Sequence, residues 1–450
     1  MKTSTRLRGP IINTELPGPR SREIKEISEQ YEPNASSEQV PIVWKHAEGV
    51  WATDMDDNTF LDFTSGVLVA NAGHSHPRLV RAMQEQAERA VNTYDFLNEW
   101  RPQLAKKLVD ITPLNLSRAI VLSTGAETIE TAMKIARLYT GKHEIVAFHG
   151  AFHGRTYGAM SVNGKRSSPG IKGFGPFLPG VVFAPFPYPY RSILCRGHED
   201  ECSERSFEYF KWIIETESEK DIAAVLVETY QGAAGSIIAP KDWLQMIAQW
   251  CKENGAVLII DEVQASFGRT GKLFGFEHYD IEPNLLCLGK GISSTVPVSA
   301  VVGEEDIMSV LTPGSVSSTH GGNAFSSRIA LENINVILEE NLSDNAARIG
   351  AILDARFRDM QSRYPAIGDV RGLGLVFGLE FVKDPDTREP APELTQAIID
   401  EAFKRGLVMI APIGFYGNAI RVAPPLVITE EEAMLGADIL EEAIAAALDA

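Results

Sequence analysis

The sequence has few cysteines, no excess of positive charge and no long apolar run. Its 450 residues include four cysteines, and 60 acidic against 42 basic side chains give a formal net charge of −18. Such a chain repels phosphodiester backbones and anionic lipids, so neither nucleic acids nor membranes are expected as partners. No apolar run approaches the roughly 20 residues of a membrane-spanning helix.

The sparse cysteines predict a reducing, cytoplasmic setting. Cys251 and Cys287 lie in apolar segments and are expected to pack as free thiols. Cys195, His198 and Cys202 fall close together, but three ligands in an acidic loop without a second pair are a weak basis for zinc. No metal site is predicted. The basic N-terminus has no apolar segment of the kind found in secretory signal peptides.

Apolar runs alternate with helical patterns through the middle of the chain. Strands are predicted at 119–122, 144–148, 222–227, 256–260, 285–288 and 298–302. Continuous apolar strands separated by helices indicate an α/β fold with a mostly parallel sheet covered on both faces. Functional residues of such sheets lie beyond the carboxyl ends of the strands.

Three regions are predicted along the chain. Residues 1–75 contain an arm, extended to about residue 40, and a hairpin around Asp56, Asp57 and Asn58. Residues 76–345 form the large domain, and 346–450 form a smaller α+β domain. One long or broken helix is expected over 327–362, and the glycine-rich stretch 368–374 predicts a sharp break.

A lysine and a carboxylate follow two of the predicted strands. Lys290 lies in a glycine-flanked turn after an apolar run, and Asp261 ends another. A cation at such a position is costly unless its site is partly wet or the lysine is used covalently. A pyridoxal phosphate site needs this pair, because the lysine forms a Schiff base and the carboxylate pairs with the pyridinium nitrogen.

A strand–glycine–helix junction at 119–136 is suited to a phosphate, because the start of a helix directs free N–H groups and a positive dipole at one point. A nucleotide-binding P-loop was considered at Gly271-Lys272 and Gly141-Lys142. That motif needs an earlier glycine where Ser266 and Ala136 stand, so this alternative fails.

Five motifs, in order and spacing, resemble the class III pyridoxal-phosphate aminotransferases of fold type I. They are Ser123-Thr124-Gly125-Ala126-Glu127, Ala151-Phe152-His153-Gly154-Arg155-Thr156, Asp261-Glu262-Val263-Gln264 with Gly268-Arg269-Thr270-Gly271, Lys290, and Arg421-Val422-Ala423-Pro424-Pro425. The resemblance covers nearly the whole chain and is greatest to 4-aminobutyrate aminotransferases and dialkylglycine decarboxylases. It implies pyridoxal 5′-phosphate as cofactor, a sheet of the seven-stranded type, and a small domain built from both chain ends.

The same resemblance implies a role for each matching residue. Lys290 would carry the cofactor and shuttle the proton, Asp261 would hold the ring nitrogen, Gln264 would contact the ring 3-oxygen, and Glu228 would complete the catalytic group. Thr319 of the partner subunit would reach the phosphate, which makes a homodimer the expected active form. The other implied cofactor contacts are Thr124, Gly125, Ala126, Phe152, His153 and Val263.

Three further residues are implied in substrate binding. Arg421 matches the arginine that grips the substrate carboxylate, for which a planar fork is suited. Arg155 matches the arginine that 4-aminobutyrate aminotransferases use for a distal carboxylate. Val67 stands where the decarboxylases carry a glutamine, and decarboxylation is therefore disfavoured. Ala233 replaces a family glutamate that pairs with the carboxylate-binding arginine, so a switch between ω-amines and keto acids is in doubt.

The predicted reaction is transamination between an amino acid or ω-amino acid and a 2-keto acid, through pyridoxamine phosphate. An amino-acid racemase or epimerase on the same fold remains an alternative, because it would use the same lysine and aspartate but return the proton to Cα. A non-catalytic relative is disfavoured by the intact Lys290, Asp261 and Arg421.

Overall fold

The computed structural model describes residues 9–36 and 39–450. Its strands are β1 (Trp44–Glu48), β2 (Trp51–Asp54), β3 (Thr59–Asp62), β4 (Leu116–Leu122), β5 (Glu144–Phe148), β6 (Val181–Ala184), β7 (Ile222–Glu228), β8 (Tyr230–Gln231), β9 (Ile237–Ile238), β10 (Val257–Asp261), β11 (Leu285–Leu288), β12 (Ser299–Glu304), β13 (Ile367–Leu373), β14 (Val376–Phe381), β15 (Leu407–Val408) and β16 (Ala419–Val422). Its helices are α1 (Pro19–Tyr31), the single turn α2 (Ser65–Leu68), α3 (Pro77–Ala87), α4 (Trp100–Asp110), α5 (Gly125–Thr140), α6 (Tyr157–Ser161), α7 (Cys202–Glu217), α8 (Lys241–Asn254), α9 (Glu305–Met308), α10 (Ala324–Glu339), α11 (Leu342–Arg363), α12 (Pro392–Lys404) and α13 (Glu430–Leu448).

A large sheet with the strand order β4-β12-β11-β10-β7-β5-β6 forms the centre of the molecule. Strand β12 is antiparallel to both neighbours, and the pairs from β11 to β6 are parallel. Strands such as β7 and β10 are buried along their whole length because helices cover both faces of the sheet. The predicted mostly parallel α/β sheet is confirmed.

Two smaller sheets join distant parts of the chain. The predicted hairpin is the antiparallel pair β2–β3, and β15 pairs in parallel with β3, so segments near the two chain ends share one sheet. Strands β13, β14 and β16 form the second small sheet. The predicted boundary after residue 345 falls within α11. The domain ranges 1–75, 76–345 and 346–450 stay a prediction.

The arm predicted to be extended contains α1. Pro19 occupies its first turn, and the backbone N–H groups of Arg20 and Ser21 donate to the two carboxylate oxygens of Asp56, both at 2.8 Å. That carboxylate belongs to the β2–β3 turn, so a side chain distant in sequence supplies the cap. The arm prediction was wrong over 19–31; the part over 1–8 and 37–38 lies outside the described residues.

The sharp break predicted over 368–374 was wrong over 368–373, which lie in β13, and only Gly374, with a φ of 57°, lies in the turn that leads to β14. A side chain at Gly372 would collide with the ring of Phe377 on the neighbouring strand, so this glycine permits close cross-strand packing. The helix predicted over 327–362 is the broken form. Helices α10 and α11 meet at Asn341, whose left-handed backbone has a φ of 51°.

Two cysteines predicted to be reduced are paired. Cys195 and Cys202 form a disulfide, whereas Cys251 and Cys287 are free and buried. Within residues 9–36 and 39–450, no cluster of three or more His, Cys, Asp or Glu side chains could hold a metal ion. In the same residues, no helix has the length and apolar character needed to cross a membrane.

Candidate active site

The carboxyl ends of three central strands open into one cavity of about 930 Å³. Glu228 ends β7 and Asp261 ends β10, and these two residues are paired in register across the parallel strands. Lys290 follows β11 after a single glycine. Because parallel strands end at the same edge of the sheet, residues separated by up to 62 positions in the sequence line one wall.

A buried histidine holds the Asp261 carboxylate in place. Nδ1 of His153 lies 2.7 Å from Oδ2 of Asp261, and the backbone N–H of Val263 donates to Oδ1 at 2.9 Å. Burial alone would lower the pKa of His153, but the hydrogen bond and charge of Asp261, together with Glu228, raise it. Nε2 of His153 is buried without a partner among the described residues. The contact sets the orientation of the carboxylate that faces the cavity.

Lys290 occupies a turn with left-handed backbone, at a φ of 43°. Burial and, to a smaller extent, nearby Arg421 lower the pKa of its amine to about 8, against the opposing charges of Asp261 and Glu228. A lysine with this pKa is partly neutral near physiological pH, which a nucleophilic amine requires.

Glu228 is a second buried carboxyl group beside Lys290. Its two oxygens accept from the backbone N–H groups of Phe152 at 3.0 Å and Gly232 at 3.3 Å. Burial raises its pKa to about 7, the charge of Asp261 also raises it, and His153 opposes both. A carboxyl group with this pKa can hold or release a proton near neutral pH.

The first turn of α5 borders the cavity. Gly125 and Ala126 line it, and in the described part of the chain their N–H groups have no hydrogen-bond acceptor. A side chain at Gly125 would come within 2.8 Å of Val263, so the glycine lets the helix start approach the strand end closely. This geometry suits an anion at the helix N-terminus.

Thr124 caps the start of helix α5. Its hydroxyl accepts from the N–H of Glu127, and the Glu127 carboxylate accepts from the N–H of Thr124 at 2.9 Å. Thr124 is thus the N-cap of α5, and among the described residues it is not part of the cavity wall. Its contact with the cofactor stays a prediction.

Arg421 and Gln264 lie next to each other in the cavity wall. Arg421 is only 6% exposed, and its Nη1 donates to Oε1 of Gln264 at 3.2 Å. Burial lowers the pKa of this guanidinium, against the effects of Tyr230 and Glu228. In the described residues no carboxylate pairs with Arg421. A buried cation without an anion is costly, so the cavity favours a ligand with a carboxylate.

Arg155 and Phe152 line the same cavity, with the Arg155 guanidinium 5.6 Å from the centre of the Phe152 ring. Arg155 is exposed and, within the described part of the chain, has no acidic partner. Val67 also lines the cavity. Its φ of 64° is unusual for a β-branched residue and costs about 1–3 kcal/mol.

Thr319 is exposed and lies outside the cavity wall of its own chain, as judged from the described residues. The adjacent Ser318 hydroxyl is 3.4 Å from the carboxylate of Glu127, at the start of α5. Delivery of Thr319 of the partner subunit to this site stays a prediction.

Three cavity residues escaped the sequence interpretation. Tyr230 donates its hydroxyl to the carbonyl of Gln264 at 3.3 Å, and Lys165 donates to the carbonyl of Phe415 at 2.7 Å. Tyr230 could have been found from the sequence, because it lies only two residues after Glu228, which was itself predicted to be in the site. Lys165 and Phe415 gave no such local signal, because 250 residues separate them.

The donor set fits pyridoxal phosphate. The cavity unites an amine of lowered pKa, an oriented carboxylate, an aromatic ring and helix N–H groups suited to a phosphate, and its volume is in the range of small-ligand sites. Lys290, Asp261, Phe152, Gly125 and Ala126 are the residues that would hold the group. Fold and site together are those of a pyridoxal-phosphate enzyme.

Comparison with known proteins gives the family. The class III aminotransferase model matches residues 33–444. A probable 4-aminobutyrate aminotransferase of Bacillus subtilis is 38% identical over 89% of this chain and 92% of its own length. An alanine/serine racemase of Pyrococcus horikoshii is 35% identical over 97% and 92%. An (S)-enantioselective omega-transaminase of Thermomicrobium roseum superposes with a TM-score of 0.87 at 31% identity, covering 95% and 98%.

The chain belongs to the class III aminotransferase family. It is an enzyme of the transaminase class, and its cofactor is pyridoxal 5′-phosphate.

Proposed function

We propose that this enzyme transfers the amino group of an α-amino acid to a 2-keto acid, and that both substrates place their carboxylate on Arg421. The observation that carries the proposal is the burial of Arg421 in the Lys290 cavity with no carboxylate partner among the described residues. A donor without an α-carboxylate would leave this cation unpaired. Ala233, which lines the same cavity, cannot supply the missing anion.

The chain's own residues divide the proton chemistry. Bound pyridoxal phosphate supplies an electron sink for the negative charge that develops at the substrate Cα. Asp261, whose carboxylate is oriented by His153, would pair with the ring nitrogen. Lys290, partly neutral at its pKa of about 8, would take the proton from the substrate Cα and would return it to the acceptor carbon. Glu228 retains a proton near neutral pH and limits the negative charge beside Asp261.

The active form under this proposal is a homodimer, with Thr319 of the partner subunit at the phosphate. Support comes from the exposure of Thr319 and from the position of Ser318 beside the start of α5. A cytoplasmic location stays a prediction, and the Cys195–Cys202 disulfide opposes the premise on which it was based.

Racemisation is the second candidate, because relatives of similar identity are named alanine/serine racemase and isoleucine 2-epimerase. The two reactions share the removal of the Cα proton by Lys290 and differ in the carbon that receives it back. Lys290 lines the cavity and could serve in either reaction.

The test adds single amino acids to the holoenzyme without a keto acid and follows the cofactor absorbance. We expect α-amino acids to convert the visible band to the near-ultraviolet pyridoxamine form at least about tenfold faster than 4-aminobutyrate does, since a hydrogen bond to a charged group is lost with the latter. A persistent band with loss of optical purity would establish the racemase instead. Faster conversion by 4-aminobutyrate would contradict the donor class.

A matched pair of variants tests the reason for this preference. Ala233→Glu offers Arg421 an internal carboxylate and should reduce the difference in conversion rate between α-amino acids and 4-aminobutyrate. Ala233→Gln introduces a neutral side chain of equal size and should leave this difference unchanged. Equal effects of the two substitutions would show that size rather than charge at this position determines the donor.

A further inference from the structure

A buried arginine outside the cavity joins three segments, two of which carry the cavity residues Val67 and Arg421. Arg269 is fully buried, and its Nη1 donates to the carbonyls of Leu375 at 2.9 Å and Pro424 at 2.6 Å. Its Nη2 donates to Oγ of Ser65 at 3.1 Å and Oδ1 of Asn71 at 2.8 Å. All four acceptors are neutral, and Nε has no partner among the described residues.

Two of these contacts hold the left-handed turn that carries Val67. Ser65, Gly66, Val67 and Leu68 have φ values of 44°, 59°, 64° and 63°. Gly66 takes this backbone freely, but Val67 does not, so surrounding contacts must maintain it. Ser65 is bound on both sides, because its Oγ accepts from Arg269 and donates to the carbonyl of Ala423 at 2.8 Å.

The far side of the turn is held in the same way. Nδ2 of Asn71 donates to the carbonyl of Phe267 at 2.9 Å, two residues before Arg269 in the sequence. The carbonyl of Asn71 accepts from the N–H of Leu426 at 2.9 Å. The turn therefore spans between two residues, Ser65 and Asn71, that are both bound to the same guanidinium.

Burial of Arg269 costs free energy. A buried guanidinium without a hydrogen-bonded carboxylate loses its hydration, and apolar side chains of similar volume commonly serve stability as well or better. What the guanidinium adds is a rigid fork that reaches four oxygens in a fixed geometry. Three of those oxygens belong to the segment that follows Arg421 and to the turn that encloses Val67, and the fourth is the carbonyl of Leu375, just before β14.

We propose that Arg269 is a positioning residue for substrate selection: it holds the left-handed turn at 65–68 so that Val67 forms part of the cavity wall, and through Val67 it limits the size of the substrate side chain. The proposal rests on the proposed function, because it assigns Val67 to the wall of the amino-acid site. Arg269 itself does not line that cavity within the described residues.

The experiment is a double-mutant cycle with Arg269→Lys and Val67→Gly. Dissociation constants are measured for alanine, 2-aminobutyrate, norvaline and norleucine from the change in cofactor absorbance of the holoenzyme. Lysine keeps the charge but not the fork. We expect Arg269→Lys to shift the ratio of the alanine and norleucine dissociation constants at least about fivefold in favour of norleucine. In the Val67→Gly background the same substitution should shift this ratio less than about twofold. A purely structural arginine would instead give equal shifts in both backgrounds.

Two further measurements keep the result decisive. Ser65→Ala removes one of the oxygens that accept a hydrogen bond from Arg269, and it should shift the ratio of dissociation constants in the same direction. This variant replaces Arg269→Lys in the cycle if Arg269→Lys fails to fold. Thermal unfolding of the cofactor-free full chain provides a measurement that needs no substrate. Arg269→Lys should lower the melting temperature less in the Val67→Gly background than in the original chain. A folded Arg269→Lys enzyme with the original ratio, or equal melting shifts in both backgrounds, would overturn the inference.

A failure of the proposed function has a different appearance. In that case the original holoenzyme would bind amino acids without forming the near-ultraviolet band, while the side-chain ratio and the melting cycle would still report on the Arg269–Val67 coupling.

Discussion

At the scale of single residues, the site depends on competing charges around Lys290. Burial and Arg421 disfavour its ammonium form, whereas Asp261 and Glu228 favour it, and the pKa of about 8 is the outcome. This pKa lies below the ordinary lysine value of 10.5, so between these two pH values the unfolded chain binds one proton more than the folded chain. Burial of Lys290 therefore destabilises the fold at low pH and ceases to do so as the pH rises through this window.

The same balance predicts how the cofactor-free protein captures pyridoxal phosphate. The neutral amine is the nucleophile, so the capture rate should rise with pH and level off, with a midpoint at about 8. Stopped-flow absorbance at a series of pH values measures this midpoint. Glu228→Gln removes a charge that favours the ammonium form and should lower the midpoint, whereas Glu282→Gln, at an exposed position, should not. A midpoint near 10.5 would contradict the assignment.

At the scale of elements, α5 links the stability of the fold to the binding of an anion. Its capping box uses the side chains of Thr124 and Glu127 to satisfy the N–H groups at its start, and Gly125 and Ala126 remain available to the cavity. The Thr124 hydroxyl is thus hydrogen-bonded within the helix cap. The first turn is held in place before any cofactor binds.

Thr124→Ala is therefore expected to lower the free energy of unfolding of the cofactor-free chain by about 1 kcal/mol, the usual cost of a lost N-cap. Urea denaturation followed by circular dichroism measures the change. Thr140→Ala serves as the comparison, because Thr140 lies at the other end of the same helix. Its hydroxyl donates to the carbonyl of Ala136 at 2.8 Å and accepts from the N–H of Lys142 at 3.2 Å, so it satisfies no N–H group at the start of α5. Equal losses for both variants would contradict the capping role.

At the scale of the whole molecule, segments near both chain ends meet beside the central sheet. Strand β3 pairs with β15, and Arg269 connects the large sheet's loop to residues 65, 375 and 424. The cavity residues Val67 and Arg421 come from these terminal parts, whereas Lys290, Asp261 and Glu228 come from the sheet. The cavity consequently exists only when both parts are assembled.

The proposed dimer makes a prediction about mixed subunits. Lys290→Ala should abolish turnover, and Thr319→Ala should reduce it severely if the partner's phosphate contact is needed. When the two variants are unfolded, mixed and refolded together, each heterodimer contains one site with both residues intact. Random assembly should restore about one quarter of the original activity. Activity no greater than that of Thr319→Ala alone would show that Thr319 acts within its own chain or not at all.

Much of the architecture could be predicted because neighbouring residues encode it. The apolar runs predicted at 222–227, 256–260 and 285–288 form buried strands, and the hairpin at Asp56 and the helix after Gly125 follow from local turn and cap chemistry. Lys290 and Asp261 were found for the same reason, since each directly follows such a run. Helix α1 and strand β13 were missed because Asp56 and Phe377, which explain them, are distant in the sequence.

The sequence by itself determined the strands, their mostly parallel order and the family, and it placed a lysine and an aspartate at the ends of two neighbouring strands. Only the tertiary structure decided that His153 orients Asp261, that Thr124 caps a helix, that Cys195 pairs with Cys202, and that Arg269 holds the turn of Val67. The physical reason is the range of the interactions. Hydrophobic periodicity and turn propensity act between near neighbours, whereas hydrogen bonds of buried side chains depend on which distant segments the packed core brings within about 3 Å.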